Sequence, residues 1–210
     1  MQTLQNRHTK LAHKNDLDKT TSALKLHNFE PIVVHTKEEA LKTIQGLIPL
    51  GASIMNGSSE TLREIGYTDV LKNGEHGWNN LHDAILTETD PAKQALLRRQ
   101  SVVSDFYIGS AHAVTETGEI VIASNGGSQL PHLAFTSPNV IIVTGAQKIT
   151  STMADAFRRL EEYVIPLEDK RMQSVYGFGT AHTKTLILHK ENPMMGRKIY
   201  VIIVNEKLGF

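Results

Sequence analysis

Apolar positions change their period several times along the chain, and each change marks an element. The first 25 or so residues are polar, with leucines at 4, 11, 17 and 24, the spacing of a weakly amphipathic surface helix. "FEPIVVHT" then reads as a short β-branched strand. In "KEEALKTIQGLI" the apolar set Ala40, Leu41, Ile44, Leu47 and Ile48 has helical spacing, and Pro49 and Gly51 end it. "GASIMN" is a short apolar strand that runs into "GSSETLREIG", a loop and a helix carrying Leu62 and Ile65. Residues 67–89 are polar and without clear period; they hold Trp78, His76 and His82, the histidines reading as exposed.

Asp90-Pro91 starts a helix, with Asp as N-cap and Pro at the first helical position, and Ala92, Leu96 and Val103 line its apolar face. "DFYIGSAHAVTETGEIVIAS" predicts a strand, a crossing loop and a hairpin around "TETG". "NVIIVTG" is apolar without alternation, as in a strand buried on both faces. "TSTMADAFRRLEEYV" predicts a helix over 150–164, with caps available at Thr150, Ser151 and Thr152 and a stripe of Met153, Phe157, Leu160 and Val164. "KTLILHK" and "RKIYVIIVNE" are two closing strands, read as antiparallel additions.

Strands alternating with helices predict an α/β fold: a single domain with a mostly parallel central sheet flanked by helices, and an N-terminal surface helix. Residues 1–27 are read as a helical segment packing on the domain, and 28–210 as the α/β domain itself. At 210 residues such a core needs no covalent staple.

Composition removes several classes of function. There are no cysteines, which excludes disulfides, thiolate metal sites, iron–sulfur ligation and a cysteine nucleophile, and fits a cytoplasmic protein. Lys+Arg and Asp+Glu balance at 22 each, and no basic tract is denser than Arg98-Arg99, so nucleic acid is not an expected partner. No apolar run is long enough for membrane insertion. The ten histidines include no HExxH pattern, and GxGxxG, Walker-A and GxSxG motifs are missing. No metal and no cofactor are expected.

What remains is a repeated turn chemistry. "IMNGSSET", "YIGSAHA" and "IASNGGSQ" each end a strand with glycine, serine and amide residues. Ligands of parallel α/β sheets gather at the carboxyl ends of strands, where glycine admits close backbone approach and hydroxyls add donors. Singly, each loop also reads as an ordinary turn or cap. Together they nominate Asn56, Gly57, Ser58, Ser59, Ser110, Asn125, Gly126, Gly127, Ser128 and Gln129 as ligand-binding, with Lys148 supplying charge. Asn56 and Gln129 would give directional amide contacts. Glu60, in the first turn after "NGSS", competes for the helix end. His112 and His132 border these loops as acid/base candidates or hydrogen-bonding spectators.

Taken in order, "PLGASIMNGSSETLREIG", "SDFYIGSAHAVTETGEIVIASNGGSQLPHLAF", "NVIIVTGAQKI", "RRLEEYVIPLEDKRM" and "VIIVNEKLGF" resemble the LUD-domain family, named for lactate utilization. The resemblance implies a fold similar to the ribose-phosphate isomerase, glucosamine-phosphate deaminase and CoA-transferase superfamily, with the three loops meeting at one cleft. It also marks departures. "GSAHA" lacks the carboxylate of the isomerases' "DGAD"-like turn, and Ala123–Gly127 lacks the glutamate of the CoA-transferases' "ENG"-like loop. His182 stands where some relatives show an acidic residue, and the cysteines of other members are missing. The function implied is binding of a small anionic metabolite in organic-acid, lactate-type metabolism. Two alternatives stand beside it. One is an enzyme acting on a sugar phosphate or acyl-CoA, with His112 or Glu116 as the catalytic acid or base. The other is a non-catalytic accessory subunit joined to partner subunits of an organic-acid oxidation system.

Overall fold

The computed structural model describes residues 7–210, so Leu4 lies outside the described residues. In chain order the elements are α1 (Lys14–Leu26), β1 (Glu30–Val34), α2 (Lys37–Leu47), β2 (Ser53–Asn56), α3 (Glu60–Glu64), α4 (Tyr67–Asn73), β3 (Asn79–Asn80), α5 (Leu81–Thr87) and α6 (Pro91–Gln100). They continue with β4 (Phe106–Ser110), β5 (Ala113–Thr115), β6 (Ile120–Ser124), β7 (Asn139–Gly145), β8 (Ile149–Thr150), α7 (Met153–Arg159), α8 (Ile165–Tyr176), β9 (Lys184–Leu188) and β10 (Lys198–Val204).

Six strands form a central sheet in the order β1-β10-β7-β4-β2-β3, and every neighbouring pair is parallel. The α/β architecture read from the alternation is therefore present. The closing strands divide. β9 is antiparallel, as expected, but pairs with β6 in a second sheet ordered β8-β5-β6-β9. β10 is not an antiparallel addition; it lies parallel between β1 and β7, inside the central sheet. Its sequence suits that place. Ile202 and Val204 enter the core on one face, and Ile199, Val201 and Ile203 enter the core on the other. An apolar strand with no wet face is most stable where both sides are covered.

The layers follow from these faces. On one side of the central sheet, Ile54, Phe106, Ile108, Ile141 and Val143 pack against Ala40 and Ile44 of α2, Leu62 of α3, Tyr67 and Trp78. On the other, Tyr107, Val140 and Ile142 meet Leu17 and Leu24 of α1 and the inner face of the hairpin, Val114, Ile120 and Ile122. The hairpin's outer face, Ala113 and Val121, is covered by Ala156 of α7 with Leu160, Tyr163 and Val164. Helices thus flank the central sheet as read, and on this side a second small sheet packs beside α1, between the central sheet and α7. The protein stacks helices, sheet, sheet and helix.

Local chemistry sets the ends. Thr36 caps α2 by accepting from the Glu39 amide (3.2 Å), while the Glu39 carboxylate reaches back past the cap and accepts from the His35 amide (2.7 Å). Asp90 caps α6 as read, accepting from Ala92 (2.8 Å). The α6 face is a correction: none of its residues is buried, Leu96 and Val103 are exposed, and the helix docks through Gln94 Nε2 donating to the Ile85 carbonyl (3.0 Å). The segment 67–89 holds α4, β3 and α5, and extends one edge of the sheet. No described helix is long and apolar enough to cross a membrane.

The helix predicted over 150–164 is capped by Thr152, which accepts from the Asp155 amide (3.1 Å), but it does not end at Val164. A π-helical turn at Leu160–Val164 joins α7 to α8, so the helical path continues to Tyr176. Pro166 lacks an amide hydrogen, and the wide turn before it is one of the few ways a helix passes such a residue.

Candidate functional site

At the carboxyl ends of β2 and β4 the chain opens a cleft of about 340 Å³. Its floor is Gly57–Thr61 after β2, Gly109 and Ser110 of β4, and His112. One wall is Ala123 and Ser124 at the end of β6 with Asn125, Gly126, Ser128 and Gln129 after it. The opposite side comes from Val164 and Ile165, then Glu168, Arg171 and Met172 of α8, and from Thr180–His182. The three glycine–serine loops do meet here. The third arrives from the second sheet rather than from the edge of the first.

Ser59 caps the short α3, accepting from the Leu62 amide (3.3 Å), and donates to Ser110 Oγ (2.9 Å), which ties the first loop to the second. Glu60 is bound by Arg63 (2.7 Å). The Tyr107 hydroxyl lies under Gly57, where a Cβ would approach it to 2.9 Å, so the glycine permits close packing. In the third loop Ser124 Oγ accepts from the Gly127 amide (3.0 Å), and Gly127 has φ +85°, a conformation that favours glycine. Lys184 and Thr183, leading into β9, donate to the Asn125 carbonyl. Fixed this way, the loop leaves the amides of Gly126 and Ser128 without a protein partner among the described residues.

Lys148 sits on the single 3-10 turn Ala146–Lys148 that follows β7. It is 2 % exposed, and its Nζ donates to Thr61 Oγ1 (2.9 Å) and the Ala111 carbonyl (3.2 Å). The turn is pinned by Gln147, which donates to the Leu208 carbonyl (2.8 Å) and accepts from the Leu208 amide (3.3 Å). Gly145 is the only residue type that fits beneath it, because a Cβ would meet the Glu206 carbonyl at 2.7 Å. Burial, and then the charge of Arg159, push the Lys148 pKa down to about 7, against a smaller opposing effect of Glu64. Among the described residues no carboxylate lies within ion-pair distance of it.

His112 faces the cleft, and its Nδ1 accepts from the Ala123 amide (3.1 Å), which leaves the neutral ring's proton on Nε2. Burial first, then Lys148, Arg159 and His182, hold its pKa down to about 3, so it stays neutral at ordinary pH. Arg159 of α7, 1 % exposed, supports this position by donating to the His112 carbonyl (3.0 Å).

The other nominated residues divide. Gly57, Ser58, Ser59, Ser110, Asn125, Gly126, Ser128, Gln129 and Lys148 line the cleft. Gln129 has its amide engaged within the protein: Nε2 donates to the Ala123 carbonyl (3.1 Å), and Oε1 accepts from the Tyr107 hydroxyl (3.5 Å). Asn56 and Gly127 lie behind the lining; Asn56 is buried, with Oδ1 unpartnered. Glu116 is outside the cleft, on the turn of the β5–β6 hairpin, where it accepts from Lys19 (2.9 Å) and Ser151 (2.9 Å). His132 is a core histidine, stacked on Tyr107 (4.5 Å) and bonded to Ser137 (2.9 Å).

Sequence reasoning missed the α8 side. Glu168 and Arg171 pair with each other (2.7 Å) and line the cleft from α8, which continues from the π-turn. The polar period of "LEDKRM" was the available signal. Among the described residues, no three His, Asp or Glu side chains gather as a cation site.

A family model described as the LUD domain matches residues 17–204. A solved structure of a DUF162 family protein from Deinococcus radiodurans superposes with a TM-score of 0.55 at 12% identity, covering 93% of this chain and 100% of that one. That likeness shows the fold. No curated protein matches the chain.

Proposed function

The chain belongs to the LUD-domain family, and from that premise we propose that it binds a small organic anion of the lactate type in the cleft. One observation carries the reading. Lys148 is a buried cation-forming group that faces the cleft and has only neutral acceptors. The other charged side chains around the cleft are balanced at short range: Glu60 by Arg63, and Glu168 by Arg171. An anion would supply the missing partner. The unpartnered Gly126 and Ser128 amides and the Ser58, Ser110 and Ser128 hydroxyls would orient it. A volume near 340 Å³ lies at the small end of metabolite sites.

The sign of the pH dependence follows. Free, Lys148 loses its proton near pH 7. A bound carboxylate favours the charged amine and raises that pKa. Binding therefore takes up a proton above about pH 7, and affinity weakens as pH rises. Thermal melts with lactate, other hydroxy acids, sugar phosphates, CoA esters and nucleotides test this. A ligand at one hundred times its Kd adds about 2.7 kcal/mol. We expect a rise in Tm with lactate or a related hydroxy acid at pH 6.5, a smaller one at pH 8.5, and none in Lys148→Met. That variant is expected to fold, because methionine fills the buried space without a charge, and a cooperative melt without ligand checks it. A panel in which no compound raises the Tm would refute the reading.

A further inference from the structure

We propose that Lys148 is a nucleophilic amine that captures the carbonyl carbon of a 2-oxo acid as an imine. This rests on the anion-binding reading and adds a substrate class and a covalent step to it.

The geometry comes first. The Lys148 Nζ makes two hydrogen bonds, to Thr61 Oγ1 and to the Ala111 carbonyl, and both partners are neutral. A neutral amine has two hydrogens and one lone pair. Two donated bonds use both hydrogens and leave the lone pair without a protein partner, on a group that lines the cleft. A lysine held only for its charge ordinarily meets a carboxylate. Glu64, the carboxylate whose charge acts on Lys148, is instead engaged by the Gly209 amide (2.7 Å).

The net effect of the surrounding charges acts in the same direction. The groups that face Lys148 are Arg159 from α7, Glu64 from α3 and His112 from the loop between β4 and β5. Arg159 opposes a second positive charge, and its effect exceeds that of Glu64. With a pKa of about 7, a substantial fraction of the amine is unprotonated at neutral pH. An ordinary lysine, near 10.4, has only about one part in a thousand. Desolvation of a lysine is a recognised route to an amine nucleophile.

His112 completes the arrangement. Its Nδ1 is fixed as an acceptor by the Ala123 amide, so Nε2–H is the donor. The ring lies close enough to Lys148 for their charges to interact. A histidine that stays neutral is a hydrogen-bond donor that polarises a carbonyl oxygen, rather than a proton source.

The step balances without any further reagent. The Lys148 lone pair attacks the carbonyl carbon, and the C=O π pair moves to oxygen. One amine proton passes to that oxygen, giving a carbinolamine. The C–O bond then breaks, and the hydroxyl leaves as water with the second amine proton. The products are one imine and one water.

The test is reductive trapping. The protein is incubated with pyruvate, and separately with glyoxylate, together with sodium cyanoborohydride at pH 7.5. It is then digested, and each lysine is assayed by mass spectrometry. With pyruvate the expected product is a 1-carboxyethyl group on Lys148, formed at least about tenfold faster than on exposed Lys207. Lactate, which lacks the carbonyl, slows it by competition. Lys148→Arg keeps a charge and loses the adduct; if that variant does not fold, the ratio of Lys148 to Lys207 labelling in the unaltered protein decides. Labelling of Lys148 no faster than of Lys207 overturns the proposal. If lactate still raises the Tm in that case, the covalent step alone falls and anion binding stands. If neither pyruvate nor lactate has any effect, both fall.

Discussion

Burial gives Lys148 its character. The same side chain on an open strand–helix junction would be a solvated surface lysine, and the sequence reads equally well that way. Gln147 clamps the turn to Leu208 and thereby points Lys148 inward. Glu116 shows the converse. Its position close after "GSAHA" nominates it, yet the hairpin turn carries it away from the cleft, into contact with Lys19 and Ser151. Glu116→Gln is therefore expected to leave any lactate-induced rise in Tm unchanged. It should cost at most about 1 kcal/mol, because the Lys19 partner is largely exposed. Urea denaturation with and without lactate checks both statements; loss of the ligand effect would bring Glu116 back into the site.

At the scale of elements, the hairpin and α1 hold each other. The turn "TETG" closes with the Gly118 amide donating to the Thr115 carbonyl (2.9 Å), and Gly118 has φ +94°. A Cβ there would also meet the Ala23 main chain of α1 at 2.8 Å. α1 ends on Asn28 at φ +60°, with the Phe29 amide bonded to Leu24 and the Asn28 amide to Lys25, the two bonds of a Schellman cap. The helix is thus stopped where His27 Nδ1 reaches the Gly118 carbonyl (3.2 Å). Gly118→Ala combines backbone strain with a clash, and should destabilise the protein by more than about 1 kcal/mol. A denaturation midpoint equal to that of the unaltered chain would mean that α1 does not rest on this turn.

The whole molecule buries two histidines that stay neutral to a lower pH than they would in water. Burial lowers the pKa of His132 to about 4 and is the largest cause of the shift of His112 to about 3. An unfolded chain takes up these protons near pH 6.5, while the folded one does not. Folding stability from these groups is therefore full above about 6.5 and falls as pH drops toward 4. At pH 5 the loss is at most about 2 kcal/mol for each histidine. Melts at pH 7.5, 6 and 5 should show a progressive fall in Tm, and His112→Asn should flatten it. A Tm indifferent to pH over that range would contradict the buried, neutral state of both rings.

The pattern of residues by itself determined most of the elements and the α/β class. Alternation, apolar runs and caps are local properties, and the strands at "FEPIVV", "SIMN", "FYIGS" and "NVIIVTG" needed nothing more. It also located the three loops and Lys148, because glycine, serine and amide residues at strand ends are legible one loop at a time. Only the tertiary structure decided the rest. Strand direction and neighbour are set by which faces become covered, which is why β10 enters the interior of the central sheet. The stretch "LEDKRM" joins the cleft from a helix that continues from a π-turn, whose wide winding is a compromise with Pro166 and with the core beneath Leu160 and Val164. The chemistry of Lys148 and His112 depends on desolvation and on neighbours distant in the chain, Arg159 and Ala123. A pKa is a property of an environment, and the environment exists only once the layers have closed.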